Sequence, residues 1–330
     1  MRTAYDDVKR HICDLLERRG VPPPGSTAIT EILLEAEGRG YPAQGVSRVK
    51  EICRLLDSGI LSPIPSWDTV ETCPSARVFI AQGALGHPVA LAAIDTATTL
   101  AKLHGIGCVG VRGTGHIGYL TYYAERAANA GMLCVVSTVS PPAVVLPGSN
   151  RVILGTNPVA FAFPTREGVF CADFSTAEVS RGVVISRAER SLPFDHDVGV
   201  DFRGKPTNDP ADILSGGILP LGNGLKGVLI NVLFGILAGP FIGGVPNHAV
   251  IDTRHTDAQP NKGDWFMCFD IERFCNRETF EQDTGNFLCE MRSMWPNFHV
   301  PGNFSRRRMA DVLEHGFGAT AALSAVMRMS

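Results

Sequence analysis

The chain reads VGVRGTGHIGYLTYYAERAANAG from Val109 to Gly131, LPGSNRVILGTNPVAFAFP from Leu146 to Pro164 and CADFSTAEVSRG from Cys171 to Gly182. Three glycine-punctuated turns follow three apolar segments, and each turn brings polar groups able to meet a charged ligand. Cys108–Val111 is a short apolar run that predicts a strand. Tyr119–Ala130, alanine-rich and closed by Gly131, predicts a helix. Between them Gly113-Thr114-Gly115-His116-Ile117-Gly118 spells G-x-G-x-x-G, the pattern that sets a helix N-terminus against a pyrophosphate. A dinucleotide fold also requires an acidic residue about 20 positions on, at the end of the next strand. Met132–Thr138 predicts that strand, and Ser137-Thr138-Val139-Ser140 offers no carboxylate. The residues alone leave two readings open: a half-met fingerprint, or a tight turn whose glycines serve sterics only.

The chain has 330 residues, more than one typical domain, so two or three lobes are expected. Its net charge of -3 gives no electrostatic case for nucleic acid or an anionic membrane. Nine cysteines are scattered without a C-x-x-C pair, several of them inside apolar runs, which predicts reduced core thiols and a cytoplasmic protein. The first twenty residues lack the apolar core of a signal peptide.

Tyr5–Arg19 carries Val8, Ile12, Leu15 and Leu16 as a helical stripe, and a second helix is expected from a Ser26 or Thr27 cap to about Gly38. Val46–Leu56 predicts a third. Pro88–His104 is apolar on nearly all sides and predicts a buried helix. Strands and helices then alternate, which argues for an α/β class. Ser191–Leu219 is turn-rich and predicts a long loop. Val228–Pro240 is strongly apolar but short for a membrane span of about 20 residues, so a buried helix is expected there. Arg277–Met294 predicts a helix, and Arg306–Met329 a closing helix that Gly316 and Gly318 interrupt. His248 and His255, with Asp252 between them, lack a third ligand, and no metal is expected.

The order of motifs resembles the malate/L-lactate dehydrogenase-like oxidoreductases, a family that includes ureidoglycolate, sulfolactate and diketogulonate dehydrogenases and the piperideine- and pyrroline-2-carboxylate reductases. The resemblance runs from about Gly40 to the C-terminal helix. It is carried by GHIGYLTYYAERAANAG, LGTNPVAFAFP, CADFSTAEVSRG, GKPTNDP, LGNGLKG and VPGN. It implies an α/β fold with a non-Rossmann nicotinamide-binding region, which accounts for the missing carboxylate. It also implies helices from both chain ends packed together: residues 1–75 with 295–330, around a core of 76–294 whose cofactor-binding region is about 110–245. A homodimer with NADH or NADPH and a small carboxylate-bearing substrate is implied, without nucleic acid or membrane.

Residue by residue, the resemblance assigns cofactor contacts to His116, Ile117, Gly118, Tyr119 and Leu120, to Phe174, Ser175 and Thr176, and to Lys226 and Gly227. It assigns the substrate carboxylate to Arg48 and a further substrate contact to Thr156. Arg181 is a candidate for a 2′-phosphate, and Asn303 stands where the family carries a glutamate. The marked departure is Ala43-Gln44-Gly45 in place of Ser-His-Gly, whose histidine is the family's proton donor. Gln44 does not titrate near neutrality. The leading expectation is an NAD(P)-dependent oxidoreductase reducing a C=N bond of a cyclic imino acid or the C=O bond of a 2-oxo acid. The alternative is a redox-inactive member that binds the cofactor or a ligand, or that catalyses a condensation or cyclisation.

Overall fold

The computed structural model describes residues 2–251, 253 and 258–330. Helix α1 (Tyr5–Glu17) buries Val8, Ile12, Leu15 and Leu16 as one stripe. Helix α2 (Pro23–Arg39) starts earlier than the expected Ser26 or Thr27 cap. Pro23 and Pro24 occupy its first turn, where a missing N–H leaves no bond unmade. Ser26 instead lies buried inside the helix, its hydroxyl on Glu17 at 2.7 Å. Gly40 ends α2 at φ 92°, a conformation that favours glycine. Helix α3 (Val49–Asp57) buries Val49, Ile52, Cys53, Leu55 and Leu56.

A seven-stranded sheet forms the core, in the spatial order Asp68–Cys73, Ala76–Ile80, Ile106–Arg112, Gly263–Asp270, Met132–Thr138, Val159–Thr165, Gly168–Phe174. Only Ala76–Ile80 and Ile106–Arg112 run parallel; every other neighbouring pair is antiparallel. This is not the all-parallel sheet of a doubly wound dinucleotide fold. The sheet takes its first strand at Asp68, so a boundary at residue 75 falls at the turn of the Asp68–Ile80 hairpin. Helices α4 (Gly86–His104) and α5 (Leu120–Asn129) cover one face, packing Ala93, Ala97, Tyr123 and Ala127 against Val109, Val111, Cys134 and Val136. At Gly107 the Ala97 carbonyl of α4 sits where a Cβ would be, so only glycine permits that approach.

Helix α6 (Arg181–Glu189) follows the last sheet strand, capped by Ser180. The segment Ser191–Leu219, expected as a loop, holds strands Gly199–Val200, Pro206–Thr207 and Gly217–Ile218 and helix α7 (Pro210–Ser215). With Val144–Val145 and Val152–Leu154 these strands make a five-stranded sheet. Strands of two or three residues carry no readable alternation, and their partners lie far away in the chain. Val144, Val184, Val198, Ile213 and Ile218 give this lobe its own core.

Helix α8 (Leu225–Leu237) is the apolar helix, but it is not buried as expected. Leu225, Leu229, Leu233 and Ile236 are 49–69% exposed, and its buried side is Gly227, Asn231 and Gly235. The window Leu225–Ile242 has the length and composition of a membrane span. The regular helix, however, is 13 residues, about 20 Å long at 1.5 Å per residue against a hydrocarbon thickness of about 30 Å.

Helix α9 (Arg277–Met294) lies where expected and packs Phe280 edge-on to Phe163. The closing segment is two helices, α10 (Asn303–His315) and α11 (Ala321–Val326), separated at Gly316 by a short strand, Phe317–Gly318, that pairs with Arg2–Thr3. Phe317, Leu323 and Val326 share a core with Val8, Ile12, Leu33 and Val49, so both chain ends build one helical lobe. Arg39 ties that lobe to the sheet layer: its guanidinium donates to both Glu125 oxygens, at 2.9 and 2.6 Å, and Arg306 of α10 reaches the same carboxylate at 2.5 Å.

Candidate active site

Gly40 releases the chain into two single 3-10 turns, Pro42–Gln44 and Val46–Arg48. Gly45, at φ -97° and ψ -141°, breaks them apart, and an added Cβ there would run into Glu37. Gln44 and Arg48 therefore do not share the face of one helix, as a spacing of four suggests. Arg48 instead folds back: its Nε donates to the Ala43 carbonyl at 2.8 Å and its Nη1 to Glu51 at 2.9 Å. It is 7% exposed, a buried cation rather than a solvated one. The Gln44 Oε1 is buried without a hydrogen-bond partner among the described residues.

The glycine-rich turn is built from below. Thr114 donates to Asp264 at 2.9 Å, and Lys262 pairs with the same carboxylate. Gly118, at φ 82°, donates its N–H to His116 Nδ1 at 3.0 Å. This assigns Nδ1 as an acceptor and places the proton of the neutral ring on Nε2. The next residues do not offer the helix start to an outside anion. Thr121 N and Oγ1 both donate to Asp173 Oδ2 at 3.0 Å, so the chain's own carboxylate caps α5.

Burial pushes the Asp173 carboxyl up to about 6, against the pull of the Thr121 bonds. A carboxyl raised above its unfolded value binds more protons folded than unfolded between the two. Its ionisation therefore costs stability as pH rises from about 4 to 6, and fully above that. Asp173→Asn keeps an oxygen for Thr121 and removes the charge. It is expected to stabilise the protein at about pH 7 and to make no difference below about pH 4. Denaturant midpoints at both pH values check this, and an equal difference at both counts against it.

Thr156 and the end of the Gly168–Phe174 strand form a second cluster. The Thr156 carbonyl accepts from Thr176 N at 2.9 Å and from Ser175 Oγ at 3.2 Å, and Thr156 Oγ1 meets Ser140 Oγ at 3.1 Å. Asn157, at φ 31°, serves its turn and more: its amide pairs with Asn231 of α8 at 2.8 Å and with Asn247 at 2.6 Å. Leu221 N donates to Thr176 O at 3.2 Å. The Leu221 carbonyl in turn packs so closely on Gly227 that a Cβ has no space there. Thr156, Ser175, Thr176 and Gly227 are thus one contiguous patch, with Phe174 and Lys226 exposed at its edge.

The two clusters meet where Gly182 of α6, next to Arg181, packs on Ala43; an added Cβ would stand 2.8 Å from the Ala43 Cβ. His116 and Arg48 border one small cavity together with Glu51 and His87. Tyr119, buried, packs against Tyr41 at a tilt of 31°, with centroids 5.1 Å apart. Asn303 is placed differently: its Oδ1 accepts from Arg306 at 2.6 Å, within the network around Glu125. His87, Asp173, Ser140 and the Asn231–Asn247 pair escaped the sequence reading. His87 lies just before the expected Pro88–His104 helix, and the sequence carries no signal that singles it out. Asp252 and His255 lie outside the described residues, while His248 is exposed.

Residues 3–327 match the malate/L-lactate dehydrogenase family. The chain belongs to that family. It is 30% identical over 318 residues to the L-sulfolactate dehydrogenase of Methanothermobacter thermautotrophicus, covering 95% of this chain and 93% of that protein. The solved structure of the sulfolactate dehydrogenase from Methanocaldococcus jannaschii superimposes with a TM-score of 0.92 at 29% identity, over 99% of this chain and 96% of that one. A delta(1)-pyrroline-2-carboxylate/delta(1)-piperideine-2-carboxylate reductase of Pseudomonas aeruginosa is 26% identical over 275 residues, covering 83% of this chain and 82% of that protein. Members of the malate/L-lactate dehydrogenase family therefore include a hydroxy-acid dehydrogenase and an imino-acid reductase, and this chain covers 93% of the one and 82% of the other.

Proposed function

We propose that this protein is an NAD(P)-dependent oxidoreductase that reduces a C=N bond of a cyclic imino acid or the C=O bond of a 2-oxo acid next to a carboxylate. The observation that carries the reading is Arg48: a buried guanidinium, four residues after Gln44, that borders one small cavity with His116. A planar guanidinium suits a carboxylate, which would replace Glu51 as its partner. Thr156 is the second substrate contact.

The residues present fit a nicotinamide nucleotide. Gly227 keeps a close turn under the first turn of α8, Phe174 offers an exposed ring, and Lys226 and Arg181 supply cations for phosphates. His116 to Leu120, Ser175 and Thr176 complete the assigned contacts, and Asn303, held by Arg306, is left out of them. When bound, the cofactor supplies hydride transfer. The chain's part is to hold the carboxylate at Arg48, orient the reacting bond with the Gln44 amide and shield it from water. A cyclic imine can arrive already protonated and needs no acid at position 44, so Gln44 favours imino acids over oxo acids.

A second reading, a member that binds cofactor without redox turnover, is favoured by the same glutamine. Calorimetry with NADH and NADPH, followed by absorbance of the reduced nicotinamide with a panel of 2-oxo and cyclic imino acids, separates them. Saturable binding with turnover is expected. Binding without turnover supports the second reading, and binding of neither nucleotide overturns both.

The protein is further proposed to be a cytoplasmic homodimer. Leu225, Leu229, Leu233 and Ile236 of α8 form an exposed apolar face, which a second copy would cover. Light scattering is expected to give twice the 35.4 kDa chain mass. Leu229→Glu with Leu233→Glu is expected to give a monomer; an unchanged mass for that variant would place the interface elsewhere.

A further inference from the structure

His87 stands in the first turn of α4, 1% exposed, and neither of its ring nitrogens finds a hydrogen-bond partner among the described residues. A buried polar group left unpaired costs about 1–3 kcal/mol, and such groups are rare enough in folded proteins to call for a reason. The ring meets His116 edge-on, with centroids 6.1 Å apart, and its Nε2 lies against Gly118, where a Cβ would come within 3.0 Å. The cavity that His87 borders with Arg48, Glu51 and His116 has room for about one water.

The other groups near the reacting bond are poorly suited to exchange a proton. Gln44 does not titrate. His116 receives the Gly118 N–H on Nδ1, so a second proton on that ring would set two N–H groups facing each other. His87 has both nitrogens open. The charged groups around it are Arg48 and Glu51 from the side of α3 and Lys262 from the start of the Gly263–Asp270 strand; the His116 ring meets it edge-on. Burial, then Lys262, then Arg48 push the imidazole down to about 3, so it is neutral while the cavity holds no anion. A carboxylate on Arg48 offsets that cation and adds a negative charge beside the ring.

We propose that His87 is the proton-exchanging residue of this site, passing a proton through the cavity water to or from the substrate atom that is reduced or oxidised. This rests on the functional reading above. In the oxidative direction the C–H bond of a hydroxy acid breaks with its electron pair going to the oxidised nicotinamide. The O–H bond breaks with its proton going to His87, and C=O forms; reduction returns both. A neutral imidazole suits the base in the first direction, and the bound carboxylate makes its cation tolerable in the second.

The test uses oxalate as the carboxylate probe, with reduced nicotinamide nucleotide present, in calorimetry at about pH 7 in buffers of different ionisation enthalpy. Wild type is expected to take up a measurable fraction of a proton per oxalate bound. His87→Gln and His87→Asn are expected to bind oxalate with that uptake reduced to near zero. Arg48→Ala is expected to bind oxalate about tenfold more weakly or worse. A merely structural histidine would leave proton uptake unchanged, so uptake equal to wild type in both His87 variants overturns this inference alone. Oxalate that fails to bind wild type, or that binds Arg48→Ala as tightly, overturns the functional reading and this inference with it.

Discussion

The double variant Ala43→Ser, Gln44→His is expected to reduce pyruvate faster than wild type, by up to about 10²–10⁴-fold, because a histidine at position 44 would protonate the reacting bond directly where His87 acts only through a water. Reduction of pyrroline-2-carboxylate is expected to change far less, because a protonated imine brings its own proton. The Gln44 Oε1 motivates the choice: it is buried with no hydrogen-bond partner among the described residues, as a group that waits for a ligand is. Wild type is expected to lack a pH limb from position 44, and the double variant to acquire one in the imidazole range. Steady-state kinetics on both substrates across about pH 5 to 9 measure this. A variant that binds cofactor and gains nothing on pyruvate places Gln44 away from the reacting bond.

Arg39→Ala is expected to cost about 3–5 kcal/mol of stability, the range for removing one partner from a buried ion pair. Arg39 and Glu125 are each 7% exposed and joined by two hydrogen bonds. Truncation strands a carboxylate between α2 and α5, with Arg306 left to face it among the described residues. Glu35→Gln, which removes a half-buried neighbour of the same guanidinium, is expected to cost less than about 1 kcal/mol. Urea midpoints with matched slopes read both. If Arg39→Ala loses less than about 1 kcal/mol, the network is not what docks the terminal helices on the sheet layer.

Legibility followed the length of each signal. The helices Tyr5–Glu17 and Arg277–Met294 and the strand Met132–Thr138 have enough residues for a period to show. The start of α2 was misplaced because two prolines read as a breaker when they were the first turn. The second sheet was missed because its strands are two or three residues long and are held by distant neighbours. The face of α8 was misjudged because apolar composition alone cannot say whether a helix is buried in its own chain or is left exposed by it.

The sequence by itself determined the family, through six motifs in order, and with it the α/β class and the glycines at 118 and 227. These are local properties: a motif needs only its own residues, and a positive φ or a close approach permits few residue types. Tertiary structure decided which polar groups meet. Arg48 turns back on the Ala43 carbonyl, Asp173 caps a helix 52 residues before it, and His87 lies beside His116 with both nitrogens unpaired among the described residues. Each depends on contacts between segments far apart in the chain, and whether a polar group is paired or stranded is settled only when those segments have packed.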